Sequence, residues 1–312
     1  MHRPTIKALA TYLPPNKVTN FELAKSLDTS DEWIRSHTGI ESRYWAIEGQ
    51  QASDMAVEAV KKLFLHREAE LEAIDAIIVA TTTGDYPGFP STACLVQAKL
   101  ELPNVAAFDI AAGCSGFVYA LEIARSFIDT GNYHSIVVLG AEKLSAITDF
   151  SDRSTAILFG DGCGALQLVS HGKGDIVDTV LHSEGHFASS LTVEPTKGKI
   201  VMDGRFVYNF AIRVIGETID ELLARNNLSL SEIDWIVPHQ ANNRIIEAAA
   251  NRFKIAKEKF FVNIAQYANT SAASIPIALD EMVQKGLLKR GQLIITLGFG
   301  AGLTYGGNLI RW

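Results

Sequence analysis

Cysteine is scarce in this sequence, which has three cysteines among 312 residues. Cys94, Cys114 and Cys163 show no C-x-x-C spacing, so they predict neither a disulfide framework nor a zinc site. Basic residues are also in deficit, with 28 Lys and Arg against 35 Asp and Glu and a net charge of −7. We therefore expect no nucleic-acid partner, and an acidic partner would need a local basic patch.

Long apolar runs are missing as well. No run approaches the roughly 20 residues that cross a bilayer, and the first residues lack the apolar core of a signal peptide. We therefore expect a cytoplasmic protein without a membrane partner. Hydrophobic residues still make up 47% of the chain, which is enough for one large α/β unit or for two halves.

The most informative stretch runs from residue 104 to residue 130. An apolar strand over 105–110 leads into Ala112-Gly113-Cys114-Ser115-Gly116, and a helix with apolar residues at spacings of three and four follows. This pattern places the Cys114 thiol on a tight turn at a helix N-terminus, where small neighbours let another molecule approach. Free N–H groups and the helix dipole would favour a thiolate there. A small cysteine buried under the helix is the alternative that the local pattern leaves open.

Two glycine-rich segments, 160–164 and 298–302, invite comparison with a dinucleotide-binding loop. Such a loop must follow a strand and open a helix. Here strand-like residues follow both segments, so we expect bends within strand pairs or places where a ligand approaches the backbone. A strand over 156–159 is predicted to precede the first segment. Cys94 lies among apolar residues of a helix predicted over 91–100, and we expect it to be structural.

The second half of the chain repeats the first. Residues 230–237 resemble residues 71–78, and an offset of 159 residues separates Asp75 from Asp234. The same offset predicts a helix near 244–253, a strand near 261–264 and a second elbow turn over 269–274. The pattern favours an α/β fold of two pseudo-symmetric halves, 1–171 and 172–312, whose elbows face one cleft.

A histidine follows the repeated strand, in Pro238-His239-Gln240-Ala241-Asn242. The C-terminal ends of parallel strands are where α/β sheets place ligand-facing residues, although a histidine in a surface loop would have the same local pattern. Cys114, His239 and Asn269 occupy corresponding strand ends of the duplicated pattern. We therefore predict that the three side chains share one site.

At these residues the sequence resembles the thiolase superfamily and, closely, the β-ketoacyl-acyl-carrier-protein synthase III family. The resemblance spans nearly the whole chain and rests on TSDEWI at 29–34, TGI at 38–40, the Cys114 elbow, SDRST at 151–155, FGDG at 159–162, PHQAN at 238–242, NTSAASIP at 269–276 and GFGAGLTYG at 298–306. Thiolases carry a second catalytic cysteine near the C-terminus, whereas this chain has none after Cys163. Elongating synthases pair their cysteine with two histidines, whereas Asn269 fills the second position here.

The resemblance implies a duplicated, five-layer αβαβα fold, a homodimer and a decarboxylative Claisen condensation that needs no metal or redox cofactor. Cys114 would take the acyl group of an acyl-CoA as a thioester, with the backbone N–H groups of Cys114 and Ala301 as the oxyanion hole. His239 and Asn269 would then donate to the enolate that forms when malonyl-acyl-carrier protein loses CO2. The product would be 3-oxoacyl-acyl-carrier protein, and the reaction would initiate fatty acid synthesis.

The same resemblance implies residues that bind CoA. Trp33 and Arg153 would sandwich the adenine, Asn242 would contact the pantetheine arm, and Tyr208 or Phe210 would line it.

The sequence also departs from the family pattern. His37 stands where the family often has an arginine that contacts a CoA phosphate, and Ala301 replaces the middle one of three glycines. Segment 186–200 is unlike the family and is expected to reshape the acyl pocket. Phe89 matches the loop that closes the partner's acyl pocket across the dimer, and an ordinary surface aromatic is the alternative.

Arg244 and Arg252 lie eight residues apart on the predicted helix after PHQAN, so they share roughly one face. This face would dock an acidic carrier protein, unless it is an ordinary solvated charged face. Two other functions remain open. One is a Cys-dependent acyltransferase or hydrolase with a different acceptor, such as a polyketide or secondary-metabolite starter enzyme. The other is a non-catalytic acyl-CoA-binding subunit. The motifs do not determine the acyl chain length.

Overall fold

The computed structural model describes residues 4–65, 67, 70, 71, 73–172 and 175–312. Residues 1–3 of the first predicted half and residues 173–174 of the second lie outside the described residues, as does residue 72 of the first repeated segment. The boundary between residues 171 and 172 stays a prediction.

The described residues form one five-stranded sheet, one four-stranded sheet and two small two-stranded hairpins. Their strands are Thr5–Tyr12 (β1), Asn16–Thr19 (β2), Ser42–Trp45 (β3), Ala76–Ala80 (β4), Ala106–Ile110 (β5), Ser135–Glu142 (β6), Gly162–Val169 (β7), Ile176–Ser183 (β8), Leu191–Glu194 (β9), Lys199–Met202 (β10), Trp235–Pro238 (β11), Leu293–Gly300 (β12) and Thr304–Arg311 (β13). The α-helices are Asn20–Leu23 (α1), Asp31–Thr38 (α2), Ala52–Leu63 (α3), Thr92–Lys99 (α4), Gly116–Asp129 (α5), Arg153–Ala156 (α6), Gly204–Arg225 (α7), Asn243–Phe253 (α8), Ile264–Tyr267 (α9) and Ser274–Gln284 (α10).

The two main sheets have the same strand order. The first runs β1-β7-β6-β4-β5, and the second runs β8-β13-β12-β11. In the first sheet β4 is parallel to both β5 and β6, and in the second sheet β11 is parallel to β12. The other neighbouring strands pair antiparallel, namely β1 with β7, β6 with β7, β12 with β13 and β13 with β8. β4 is apolar and buried throughout, as expected for a parallel strand that is covered on both faces.

The second sheet has no full counterpart of β5 among the described residues. A single parallel bridge joins Ile236 to Phe260, and α9 begins at Ile264. The predicted strand near 261–264 is therefore wrong. The physical reason is the buried Gln240 side chain, which bonds the carbonyl of Phe261 and the N–H of Asn263 and so replaces a strand ladder there.

The layers of the fold follow from the helices that cover each sheet. α5 and α10 lie between the sheets, and their buried residues belong to one hydrophobic cluster with β4, β6, β7 and β12. α3 and α4 pack on the outer face of the first sheet, and α7 and α8 pack on the outer face of the second. The arrangement is a five-layer αβαβα architecture, as the family resemblance implies.

Several local predictions can be compared with these elements. The helix near 244–253 is confirmed by α8, and segment 298–302 lies at the bend between β12 and β13, as predicted. Segment 160–164 leads into β7 but follows no strand, so it is not a bend within a strand pair. The predicted strand over 156–159 is wrong, because Asp152 caps the short helix α6 by accepting from the N–H of Ser154. Cys94 is exposed on α4 rather than packed in the core, because its side chain points to the open edge beside β5.

Candidate active site

The first elbow brings Cys114 against the end of β12. After β5 the chain turns through Gly113–Ser115 in a 3₁₀ conformation, and α5 begins at Gly116. Gly113 has a φ of 54°, and a Cβ there would lie 2.7 Å from the carbonyl oxygen of Ala301. A Cβ on Gly300 would lie 3.0 Å from the Cys114 sulfur. Only glycines at these two positions let the backbone around Ala301 approach the cysteine so closely.

The second elbow contains Asn269 and Ser271. The Asn269 side-chain oxygen accepts from the backbone N–H of Ser271 at 2.9 Å, and Ser271 has a φ of 49°. Both residues are buried. This bond orients the Asn269 amide with its oxygen toward the turn, which leaves the Nδ2 group to donate to a ligand.

His239 follows β11, where its backbone N–H donates to the carbonyl of Leu297 at 2.7 Å. The imidazole is 1% exposed, its Nδ1 lies 2.7 Å from Oγ of Ser274, and its ring packs edge-on against Phe299. Burial lowers the pKa of His239 to about 3, although a backbone hydrogen bond with Ser271 acts in the opposite direction. The ring is therefore neutral at physiological pH.

One cavity of about 610 Å³ brings these groups together. Cys114, His239, Asn269 and Ala301 all line it, although they come from four separate segments of the chain. The sequence prediction that the three polar side chains share one site is in agreement with this geometry. Most of the remaining wall is apolar, as is usual for a site that holds an organic ligand.

The electrostatic state of Cys114 differs from the sequence expectation of a favoured thiolate. Burial raises the pKa of the thiol to about 12, and the nearby Glu142 carboxylate adds to this rise. A hydrogen bond from the Ser271 hydroxyl acts in the opposite direction but does not compensate. In the ligand-free protein the loss of solvation thus outweighs the hydrogen bonds that lower the pKa of the thiol. The thiol is protonated at neutral pH.

Sequence reasoning missed Glu142 and Ser271. Glu142 is fully buried at the end of β6, where it accepts from the N–H of Thr82 at 3.0 Å and the hydroxyl of Thr83 at 2.5 Å. The Ser271 hydroxyl acts on the pKa of both Glu142 and Cys114 and lowers each of them, which couples the two elbows electrostatically. Burial raises the pKa of Glu142. A carboxylate directly after a buried apolar strand was the available signal, because such a group needs several donors.

The mouth of the cavity contains most of the predicted CoA residues. Trp33, His37, Tyr208 and Asn242 line it, while Phe210 lines the cavity further in. The rings of Trp33 and His37 stack at 4.2 Å, and the Arg153 guanidinium lies 4.9 Å from the Trp33 ring centroid. Arg153 therefore joins this group through Trp33.

Individual contacts hold this mouth in place. The Asn242 side chain caps α8 by accepting from the N–H of Arg244 at 2.8 Å, and its Nδ2 donates to the His37 carbonyl at 3.1 Å. Tyr208 donates to the carbonyl of Arg244 at 3.5 Å. Phe210 is 3% exposed and forms part of the inner wall. The mouth is thus built from α2, α7 and α8.

Segment 186–200, which is unlike the family in sequence, forms a 3₁₀ turn and most of the hairpin β9–β10. Leu191, Val193 and Ile200 from this hairpin line the cavity. The hairpin is anchored by the N–H of Ile200, which donates to the carbonyl of Ile147 at 2.9 Å. The segment therefore forms part of the cavity wall, and its effect on the acyl pocket stays a prediction.

Comparison with known proteins agrees with this geometry. Residues 108–185 match the family model described as 3-oxoacyl-[acyl-carrier-protein (ACP)] synthase III, and residues 223–312 match the model of its C-terminal part. The chain is 46% identical to the beta-ketoacyl-[acyl-carrier-protein] synthase III of Caldanaerobacter subterraneus subsp. tengcongensis, over 98% of this chain and 97% of the relative. This chain belongs to the β-ketoacyl-acyl-carrier-protein synthase III family.

Solved structures of similar proteins support the synthase III fold. The 3-oxoacyl-[acyl-carrier-protein] synthase III of Aquifex aeolicus has a TM-score of 0.95 and 47% identity, with 99% of this chain and 100% of that chain covered. A priming β-ketosynthase from the R1128 polyketide biosynthetic pathway has a TM-score of 0.91 and 30% identity, with 99% and 96% covered. The thiolase-like fold and the condensing-enzyme class follow from these similarities.

Three predicted residues of this synthase lie outside the cavity wall or at its edge. Arg244 lines the cavity mouth, Arg252 is exposed further along α8, and Phe89 is 90% exposed.

In the described part of the chain no helix is long and apolar enough to cross a membrane. No cluster of three His, Cys, Asp or Glu side chains suited to a metal ion occurs among the described residues. The absence of a cofactor stays a prediction.

Proposed function

We propose that this protein condenses an acyl-CoA with malonyl-acyl-carrier protein through a thioester on Cys114. The observation that carries the proposal is the convergence of Cys114, His239 and Asn269 on one cavity whose mouth is lined by Trp33 and Asn242. The reaction releases CoA and CO2 and yields 3-oxoacyl-acyl-carrier protein.

The first half-reaction transfers the acyl group. The Cys114 sulfur attacks the thioester carbonyl, the C–S bond to CoA breaks, and the departing sulfur takes up the proton that the Cys114 thiol gives up. The backbone N–H groups of Cys114 and Ala301 stabilise the oxyanion, and one such donor contributes about 3 kcal/mol. The close approach across Gly113 and Gly300 supports this assignment. Exclusion of water by the bound acyl-CoA strengthens both hydrogen bonds.

The second half-reaction forms the carbon–carbon bond. Malonyl-acyl-carrier protein loses CO2, and its thioester oxygen becomes an enolate that accepts from His239 and from Nδ2 of Asn269. The enolate carbon then attacks the Cys114 thioester, and the Cys114 sulfur leaves as a thiolate that takes up a proton from water to restore the thiol. The neutral state of both donors suits this step, because an imidazolium near the enolate carbon would protonate it.

CoA enters along the mouth, with its adenine against Trp33. Arg153 lies 4.9 Å from the Trp33 ring, whereas a ring held between them needs about 7 Å, two contacts of about 3.5 Å each. We therefore expect Arg153 to move outward when CoA binds, and its exposed position on α6 permits this. We expect His37, which stacks on Trp33, to contact a CoA phosphate.

The proposal includes a homodimer that pairs around β5. This strand is the outer strand of the first sheet, and all its residues are half-buried. The N–H groups of Thr92 and Ala93 bond the Asp109 carboxylate on β5, which ties the Phe89 loop to the same edge. A ring that is 90% exposed is unfavourable in water and suits insertion into a partner's acyl pocket. A cytoplasmic location accords with the use of acyl-CoA.

The carrier protein is proposed to dock on α8. Arg244 and Arg252 are exposed on this helix, which begins next to His239 at the cavity mouth. Acyl-carrier proteins are acidic, and the chain itself carries a net charge of −7, so encounter requires a local basic surface.

The deciding experiment follows both half-reactions separately. After incubation with acyl-CoA, mass spectrometry should find the acyl group on Cys114 and not on Cys94 or Cys163. With malonyl-acyl-carrier protein, CO2 release should follow. Cys114→Ser should abolish the adduct, while Asn269→Ala should lower decarboxylation about 10²-fold and leave acylation nearly unchanged. An adduct on another cysteine, or equal losses in both steps, would contradict the assignment.

A second function remains open, because a priming ketosynthase of a polyketide pathway shares the fold at 30% identity. A panel of carrier proteins distinguishes the two functions. Turnover with the malonylated carrier protein of fatty acid synthesis supports the first proposal, and turnover restricted to a polyketide carrier protein supports the second.

A further inference from the structure

Ser274 makes a short contact with His239 from the first residue of α10. Its hydroxyl oxygen lies 2.7 Å from Nδ1 of the imidazole, and Ser274 itself is 2% exposed. Within the described residues, the Ser274 hydroxyl has one further polar contact, the backbone N–H of Gln240 at 3.3 Å. These two groups are the hydrogen-bond partners of the Ser274 hydroxyl among the described residues, and the His239 ring has a further hydrogen bond with the Ser271 backbone.

The two partners determine the direction of the hydrogen bonds. The N–H of Gln240 can only donate, so it occupies a lone pair of the Ser274 oxygen. The hydroxyl hydrogen of Ser274 then has one acceptor, which is Nδ1 of His239. In the opposite arrangement, Nδ1–H would donate to Ser274, and the buried hydroxyl hydrogen would have no partner, which is unfavourable.

Gln240 is held in place by its own side chain. Its Nε2 donates to the carbonyls of Pro238 at 2.8 Å and Phe261 at 3.2 Å, while Oε1 accepts from the N–H of Asn263 at 3.0 Å. These three bonds fix the backbone between β11 and α8. The backbone N–H of Gln240 is therefore held toward the Ser274 oxygen, and it acts there as a hydrogen-bond donor.

We propose that Ser274 is a positioning residue that holds His239 in the tautomer with hydrogen on Nε2, so that Nε2 donates to the enolate oxygen. The proposal rests on the proposed role of His239 in decarboxylation. No proton is transferred, because Ser274 and Nε2 both keep their hydrogens throughout the step. In the other tautomer a lone pair on Nε2 would face the enolate and repel it.

The same arrangement occurs at the other donor. Asn269 is oriented by the N–H of Ser271, which occupies its amide oxygen and leaves Nδ2 to donate. The turn that starts α10 thus orients both groups, Ser271 for the amide and Ser274 for the imidazole.

The test combines a spectroscopic measurement with kinetics. Long-range ¹H–¹⁵N correlation spectra of the ¹⁵N-histidine-labelled protein report which ring nitrogen carries hydrogen, and loss of one signal set in His239→Gln assigns the resonances. The wild-type protein should show hydrogen on Nε2 of His239. Ser274→Ala should show the Nδ1–H tautomer or a mixture of both.

The kinetic effect should be confined to one half-reaction. Ser274→Ala should lower the rate of malonyl decarboxylation about 10- to 100-fold, and the upper value corresponds to the complete loss of one fixed hydrogen-bond donor. The rate of Cys114 acylation should change less than about twofold. Ser274→Thr keeps the hydroxyl and should keep decarboxylation within about threefold of wild type. Ser135→Ala is the control, because it removes a buried serine hydroxyl that accepts from Gln167 in the first sheet.

Two results would overturn the proposal. One is hydrogen on Nδ1 of His239 in the wild-type spectrum, which decides the matter even if Ser274→Ala does not fold. The other is unchanged decarboxylation in a folded Ser274→Ala protein. A separate result, unchanged decarboxylation in His239→Ala, would overturn the proposed role of His239 while the observed tautomer still stands.

Discussion

Replacement of Gly113 by alanine tests the contact on which the proposed oxyanion hole depends. A Cβ at this position would lie 2.7 Å from the carbonyl oxygen and 2.9 Å from the nitrogen of Ala301. Both neighbours are backbone atoms at the end of β12, so they cannot rotate away as a flexible side chain would. The residue also has a φ of 54°, which a side chain disfavours.

Gly49 offers a matched control, because it has a φ of 78° and nothing within 4 Å of an added Cβ. Gly49→Ala should therefore destabilise the folded protein only through the left-handed backbone conformation, which costs about 1–2 kcal/mol. This loss is reduced by about 0.4–1 kcal/mol, because the alanine also restricts the conformations of the unfolded chain. Gly113→Ala adds crowding, which costs about 1–3 kcal/mol in a packed interior. We expect losses of about 0.5–1 kcal/mol and about 2–4 kcal/mol respectively.

Urea denaturation at equal protein concentration measures both free energies of unfolding, and single-turnover acylation measures the function. The crowding displaces the Ala301 N–H, so Gly113→Ala should acylate Cys114 about 10²-fold more slowly, whereas Gly49→Ala should be normal. Equal losses of stability in the two variants, or normal acylation in Gly113→Ala, would refute the reasoning.

Two further predictions concern charges. Glu142→Gln removes the negative charge that helps to raise the pKa of Cys114. The pH profile of Cys114 alkylation by iodoacetamide should therefore move to lower pH, and the alkylation rate at pH 8 should rise severalfold. An unmoved profile would mean that Glu142 is already protonated. Arg252→Glu should raise KM for malonyl-acyl-carrier protein, an effect that added salt weakens because exposed charges are screened beyond about 8–10 Å, with acylation by acyl-CoA unchanged. Normal carrier-protein kinetics at low salt would remove α8 from the docking surface.

The sequence by itself determined several helices and the residues of the two elbows. The three- and four-residue spacing of apolar side chains predicted α5, and the 159-residue offset predicted α8 and the second elbow. These features are local, because each depends on periodicity or on small residues within one short segment. The motifs at Cys114, His239 and Asn269 were recognisable for the same reason.

Only the tertiary structure decided the environment of these residues. The thiolate expected from a helix N-terminus is not favoured, because burial raises the pKa of Cys114 to about 12, with part of the rise from Glu142 on another strand. The shortened second sheet depends on the Gln240 side chain, and the tautomer of His239 depends on Ser274, which lies 35 residues away along the chain. Desolvation and hydrogen-bond direction arise from groups that are distant in sequence and adjacent only after packing, and no local pattern carries that information.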